Sequence, residues 1–141
     1  MYYKAVKVNN GKLVSAFIEA ESAIIEYRVG EWAYPKIQHE DYGIFVSTKK
    51  NALETVSQAL TVTEDGRLRD VFCSSLYEIY ECEVVKSETV LKPWLSYTNY
   101  LMFQHDKLFF CPENTLIVKC CKLTRKLTKE ELEEIAHEFH A

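Results

Sequence analysis

Glycine and proline are scarce in this chain of 141 residues, four and three in number, and no apolar run approaches the length that spans a bilayer as a helix. Few turn-formers beside nine Tyr, seven Phe and two Trp point away from a disordered or fibrous chain. They point toward a strand-rich fold with some aromatics at its surface. A basic excess is also missing, since 17 Lys and Arg stand against 21 Asp and Glu for a formal net charge of −4. That removes the whole-molecule field expected of a non-specific nucleic-acid binder, and nothing indicates an acidic DNA mimic. The five cysteines contain no Cys-x-x-Cys pair and follow no signal peptide, so they read as reduced thiols of a cytosolic protein. Adjacent Cys120 and Cys121 would point to opposite faces of a strand, which argues against one shared metal site.

What is present suits one domain over residues 1–141, because a chain this long buries a core without disulfides or metal. Its centre is Leu76 to Val85, with the length and residue types of a strand in mid-sheet. Alternation puts Leu76, Glu78, Tyr80, Cys82 and Val84 on one face and Tyr77, Ile79, Glu81, Glu83 and Val85 on the other. Neither face is cleanly polar, as expected of a sheet covered by a helix on one side and partly by loops or a partner on the other. Glu78 stands alone among apolar neighbours.

Tyr2 to Val8 and Leu13 to Ile18 read as strands joined at Asn10-Gly11, two residues that accept the positive φ of a type I′ turn. Ile24 to Val29 gives a third strand, ended by Gly30, and Trp32 to Pro35 an aromatic loop. Gly43 to Ser47 is a short buried strand that feeds a predicted helix over residues 48–60, where Ala52, Leu53, Val56, Ala59 and Leu60 recur at helical spacing. Ser47 is placed to cap it, with Asn51 and Glu54 as a competing start. Asp65-Gly66 marks a turn before a short edge strand, Arg67 to Cys73. Residues 86–106 carry aromatics with no settled period and read equally as helix or ordered loop. Lys107 to Cys111 and Thr115 to Thr124 form a hairpin about Pro112-Glu113-Asn114. A last helix, 129–140, opens with a capping box, Thr128 and Glu131, and a hydrophobic staple, Leu127 and Leu132, and buries Leu132, Ile135, Ala136 and Phe139. The expected architecture is α+β: a mainly antiparallel, twisted or partly closed sheet of about seven strands with two helices.

Trp32, Tyr34, Trp94, Tyr97, Tyr100 and Phe103 are candidate binding residues, since Tyr and Trp offer rigid contact area with a polar tip. The plainer reading is that they cap the ends of the core. Glu78 joins them as either a paired structural carboxylate or a pocket residue. On the last helix Glu130, Glu133, His137 and His140 share a side at a spacing from which imidazole and carboxylate bind divalent metal, against the simpler reading of a solvated face. Lys119, Lys122, Arg125, Lys126 and Lys129 gather charge that suits intrachain pairing with glutamates more than phosphate contact.

Arg28, Phe45-Val46-Ser47-Thr48 and Glu81-Cys82-Glu83 follow one another in an order that resembles the Arg, Ser-Thr-Ser and Glu-x-Glu elements of ADP-ribosyltransferases. The resemblance implies Arg28 on NAD phosphate, Ser47 placing the nicotinamide ribose and Glu83 stabilising the oxocarbenium ion. The triplet's second Ser is absent. Separately, Lys4, Gly11-Lys-Leu-Val14, Tyr27-Arg-Val-Gly30, Gly43-Ile-Phe45, Ala52 and Tyr80-Glu-Cys-Glu-Val84 resemble an uncharacterised domain of phages and large DNA viruses over residues 2–85. Such domains often carry a His and a Cys where this chain has Phe45-Val46-Ser47, which removes a metal or thiol role there. The second resemblance implies a viral or phage origin and a host-directed role. The expectation is therefore a non-enzymatic cytosolic binding protein without cofactor, self-associating, off the membrane, and directed at a host protein or nucleotide-like molecule as a defence inhibitor or signal sponge. An NAD-using ADP-ribosyltransferase-like enzyme and a nucleic-acid-associated accessory protein are the alternatives.

Overall fold

Two long strands carry the architecture. β1 (Tyr2–Asn9) lies antiparallel to β8 (Ser75–Val84), with Tyr2 opposite Cys82 and Lys7 opposite Tyr77. The computed structural model describes residues 1–16, 24–36, 44–48, 60–70, 75–85 and 115–140. Each long strand divides its other edge between two short neighbours. On β1 the second half takes β2 (Lys12–Ser15), while β5 (Ile44–Ser47) meets it at Tyr3 opposite Ser47. On β8 the start pairs with β7 (Leu68–Asp70) and the end with β10 (Cys121–Lys126), which bulges between Leu123 and Arg125. β3 (Glu26–Tyr27) adds to β2, β4 (Trp32–Ala33) to β10, β6 (Leu60–Val62) to β7 and β9 (Thr115–Val118) to β5. Among the described residues every ladder is antiparallel, in one sheet of ten strands.

The main path runs β3-β2-β1-β8-β10-β4, so its terminal strands are neighbours in sequence, joined through residues 28–31. A flat sheet would hold them about 24 Å apart at ~4.8 Å per strand, whereas that connection reaches no more than about 17 Å. The sheet therefore curls, while remaining open. Gly30, at φ +85°, donates its N–H to the Leu123 carbonyl at 2.8 Å and fastens the connection to β10.

Curling divides the core into two clusters. On the concave face Val6, Ile25, Tyr27, Ala33, Ile44, Val46, Tyr80, Cys82, Val118, Cys121 and Leu123 pack together. On the convex face Ala5, Leu68, Tyr77 and Ile79 lie beneath Leu127, Leu132, Ile135 and Ala136 of helix α1 (Lys129–His140) and its approach. This is the face division that alternation predicts for β8, and β1 follows it in register. The capping box is formed, with the Thr128 N–H donating to Glu131 Oε1 at 3.0 Å and the Glu131 N–H to Thr128 Oγ1 at 3.3 Å. Both residues of the staple, Leu127 and Leu132, are buried. The type I′ turn is also present, with Asn10 at φ 51° and Gly11 at 77°.

Several expectations are corrected. Among the described residues the sheet has ten strands rather than about seven, and α1 is the one helix. The predicted helix over 48–60 lies outside them except at its ends, where Thr48 is a bend and Leu60 already begins β6. Trp32 and Ala33 form a strand because the hydrogen bond at Gly30 lays the chain along β10. The strand expected at the edge after Arg67 is internal, since the polar stretch before it supplies β6 as an outer neighbour. Thr115 to Thr124 breaks into β9 and β10, which serve opposite sides of the sheet: β9 joins β5, and β10 joins β8 and β4.

Thr128→Ala removes one arm of the capping box and is expected to lower stability by about 1 kcal/mol. In urea unfolding the midpoint should fall with an unchanged slope, because the surface exposed on unfolding is the same.

Candidate functional site

Glu78 occupies the concave face two residues from Tyr80 and is almost sealed, with 7% of its side chain exposed. Its Oε1 accepts the Tyr80 hydroxyl at 2.7 Å, and its Oε2 accepts Arg67 Nε at 3.1 Å and Lys126 Nζ at 3.2 Å. Arg67 is delivered by the β6–β7 turn, where its N–H donates to Thr63 Oγ1 and its guanidinium pairs with Asp65 at 3.2 Å. Burial alone would raise the Glu78 pKa, yet the bonds from Tyr80, Arg67 and Lys126 outweigh it and hold the carboxyl below its ordinary range. The same burial and the same carboxylate push the Tyr80 phenol up. These contacts describe a structural carboxylate in a closed network.

Lys4, which the sequence offered only as part of the resemblance and not as a site residue, is a second buried charge. It lies opposite Tyr80, 7% exposed, with Nζ donating to the Phe45 carbonyl at 2.9 Å and lying 5.7 Å from the centre of the Tyr27 ring. Across β1, β8 and β10 the register sets Lys4, Cys82 and Cys121 on one diagonal. Burial lowers the Lys4 pKa, and the two thiols oppose that shift. The bond between the Cys82 and Cys121 thiols keeps the Cys121 thiol below its usual value and, with burial, drives the Cys82 thiol up. Both sulfurs are free and enclosed, at 5% and 0% exposure. The signal for Lys4 was present in the alternation that places it between Tyr2 and Val6.

The convex face has two unlike halves. Over the first half of β8 lies α1, and at its rim Arg125 bridges Glu81 at 2.6 Å and Glu131 at 2.8 Å. That bridge and the cap hold the Glu131 carboxyl at about 2 and lower Glu81 as well. Beyond the rim, Trp32, Lys122 and Glu83 form a row across β4, β10 and β8. Lys122 Nζ sits 5.2 Å from the Trp32 ring centre and 3.2 Å from Glu83, which fixes the indole against the strand by cation–π attraction. Trp32 is 39% exposed and Tyr34 58%, with Val29 and Val85 exposed nearby in sequence and register. Among the described residues four of the five large exposed hydrophobics, Val29, Trp32, Tyr34 and Val85, lie in or beside β4 or just past the end of β8.

No family model, curated protein or solved structure matches the chain.

The sequence candidates are distributed unevenly over this frame. Trp32 in β4 and Tyr34 just past it are both exposed, while Trp94, Tyr97, Tyr100 and Phe103 lie outside the described residues. Arg28 is exposed in the β3–β4 connection, where its carbonyl accepts the Glu31 N–H. Ser47 is buried and lies across Tyr3 from Glu81, which Arg125 already engages; Glu83 is two residues farther along that face and paired with Lys122. Glu130, Glu133 and His137 are exposed on α1, the His140 side chain is outside the described residues, and no cluster of three metal-ligating side chains occurs among those described.

Glu78→Gln is expected to cost roughly 1–3 kcal/mol, because two cations and a phenol lose their charged acceptor. A depressed carboxyl pKa stabilises the fold above the unfolded value of about 4.3 and loses that contribution as pH falls through the lower folded value. The gap between wild type and Glu78→Gln should therefore be full at pH 7 and close on acidification. Glu131→Gln, which keeps the cap but weakens the Arg125 pair, should narrow its own gap between about pH 5 and about pH 2 in the same denaturation series.

Proposed function

We propose that this is a binding protein without catalytic activity, which meets a protein partner through the half-face carrying Trp32, Tyr34, Lys122, Glu83 and Val85. The single observation that supports the reading is the exposure of Trp32 on β4 and of Tyr34 just past it, beside a lysine that braces the indole. An indole held in place loses little freedom on docking, and Trp and Tyr dominate the energetic centres of protein interfaces. A cytosolic, phage- or virus-encoded, host-directed role follows from the resemblance over residues 2–85. Inhibition of a host defence protein suits it better than a nucleotide sponge, since the half-face carries both a lysine and a glutamate beside exposed aromatics.

The test compares wild type with Trp32→Ser/Tyr34→Ser as bait in lysate of a susceptible host. Capture of one partner by wild type and at least tenfold weaker capture by the variant, at unchanged thermal stability, is the expected outcome. Labelled NAD turned over by wild type and not by Glu83→Gln would overturn the reading in favour of an ADP-ribosyltransferase-like enzyme that uses Arg28, Ser47 and Glu83.

A further inference from the structure

Two nucleophilic side chains of the concave face have no part in the binding reading: Cys82 of β8 and Cys121 of β10. The register sets Cys82 opposite Leu123 and Cys121 opposite Val84, so the two lie on a diagonal of neighbouring strands and share a face. Diagonal α-carbons in a flat ladder stand about 7–8 Å apart, at the outer limit for a disulfide. Twist shortens one diagonal and lengthens the other, and β10 bulges just past Leu123, which increases the local twist. The bond between the two thiols identifies theirs as the short diagonal. Both are free. We infer that Cys82 and Cys121 form a redox modification site, closed to a reversible disulfide by a hydroperoxide and reopened by a small dithiol. This goes beyond the binding reading and does not depend on it.

A thiol in an apolar core is ordinarily inert, because burial disfavours the thiolate that attacks peroxide. Lys4 changes that balance. Its ammonium is buried among a carbonyl and the two thiols, and among the described residues no carboxylate pairs with it. Its charge and the bond between the thiols favour the thiolate at Cys121 against burial, while Cys82 is held as the thiol. In the first step the Cys121 thiolate attacks one oxygen of hydrogen peroxide, the O–O bond breaks, and the departing hydroxide takes up a proton to leave as water. Cys121 then carries a sulfenic acid. In the second step the Cys82 sulfur attacks the Cys121 sulfur, the S–O bond breaks, and the hydroxyl leaves as a second water with the Cys82 proton. Two thiols lose two electrons in all, and the peroxide gains them. Cover over Cys121 is slight on one side, where its opposite residue is Ala33 in a strand of two residues. Local opening of so short a strand admits a small oxidant. In a reducing compartment such a disulfide is transient, which suits a sensor rather than a permanent staple.

The reduced full chain is treated under native conditions with a slight molar excess of hydrogen peroxide, blocked with N-ethylmaleimide, digested and mapped by mass spectrometry. The peptide joined through Cys82 and Cys121 should be the main crosslink, and dithiothreitol should remove it. Cys82→Ala should stop at a sulfenic acid on Cys121 that dimedone traps, and Cys121→Ala should leave Cys82 as a thiol at the same dose. Lys4→Met, with its thermal transition kept, should close the disulfide at least about tenfold more slowly. Wild-type thiols that stay free overturn the site, as do crosslinks dominated by Cys73, Cys111 or Cys120. A sulfenic acid that forms on Cys82 in the Cys121→Ala variant as fast as on Cys121 in its counterpart overturns the order of steps, and wild-type kinetics in Lys4→Met overturn the part given to the lysine.

Discussion

The antiparallel pairing of β1 with β8 is the constraint on which the other elements depend. It joins the first strand of the chain to one that begins at Ser75, and it fixes which side chains share a face. Val6 opposite Glu78 and Lys4 opposite Tyr80 belong to the concave side; Ala5 opposite Ile79 and Tyr3 opposite Glu81 belong to the convex side. A slip of one residue would carry Ala5 and Ile79 away from α1 and expose the whole apolar set. The Leu127 N–H, bonded to the Ile79 carbonyl at 2.8 Å, then sets where the chain enters α1.

The polar residues of the two faces are treated differently. On the convex side charges sit at the rim of α1 in exposed or half-exposed pairs, where each contributes little to stability but tunes the helix start. On the concave side two charges are buried and solved by separate means. Glu78 has two cations and a phenol, while Lys4 is met among the described residues by one carbonyl, an aromatic ring and two thiols rather than a carboxylate. An ammonium so placed is stabilised through dipoles and polarisable sulfur, so burial remains the largest influence on it. Such residues disfavour alternative packings of a curled sheet, because each has its partners only in this register.

Much of the sheet was legible because β1, β5 and β8 are runs of strand-favouring residues and the Asn10-Gly11 turn has one conformational answer. The start of α1 was legible for a similar reason: Leu127, Thr128, Glu131 and Leu132 are four local signals that agree. The strands that were missed, β4 and β6, are short and take their identity from neighbours rather than from their own pattern. Trp32 and Ala33 become a strand through β10, which lies some ninety residues away in sequence, and no local reading of Trp32 to Pro35 contains that information. The open half-face was half legible. Its aromatics announced themselves, but the lysine that braces Trp32 was read only as part of a basic run, because the pairing of Lys122 with Trp32 and Glu83 is a matter of register. Lys4 was missed since a lysine in a strand is expected to point at water.

The most direct measurement of the central claim is native-state hydrogen exchange along the chain. If the β1–β8 ladder holds the two faces together, the amides it uses in β1 and β8 should be the slowest, exchanging only through global unfolding and tracking its free energy in denaturant. The amides of β4 and the last turn of α1 should exchange earlier through local opening. Protection in α1 or β10 that outlasts the β1–β8 ladder would contradict the account.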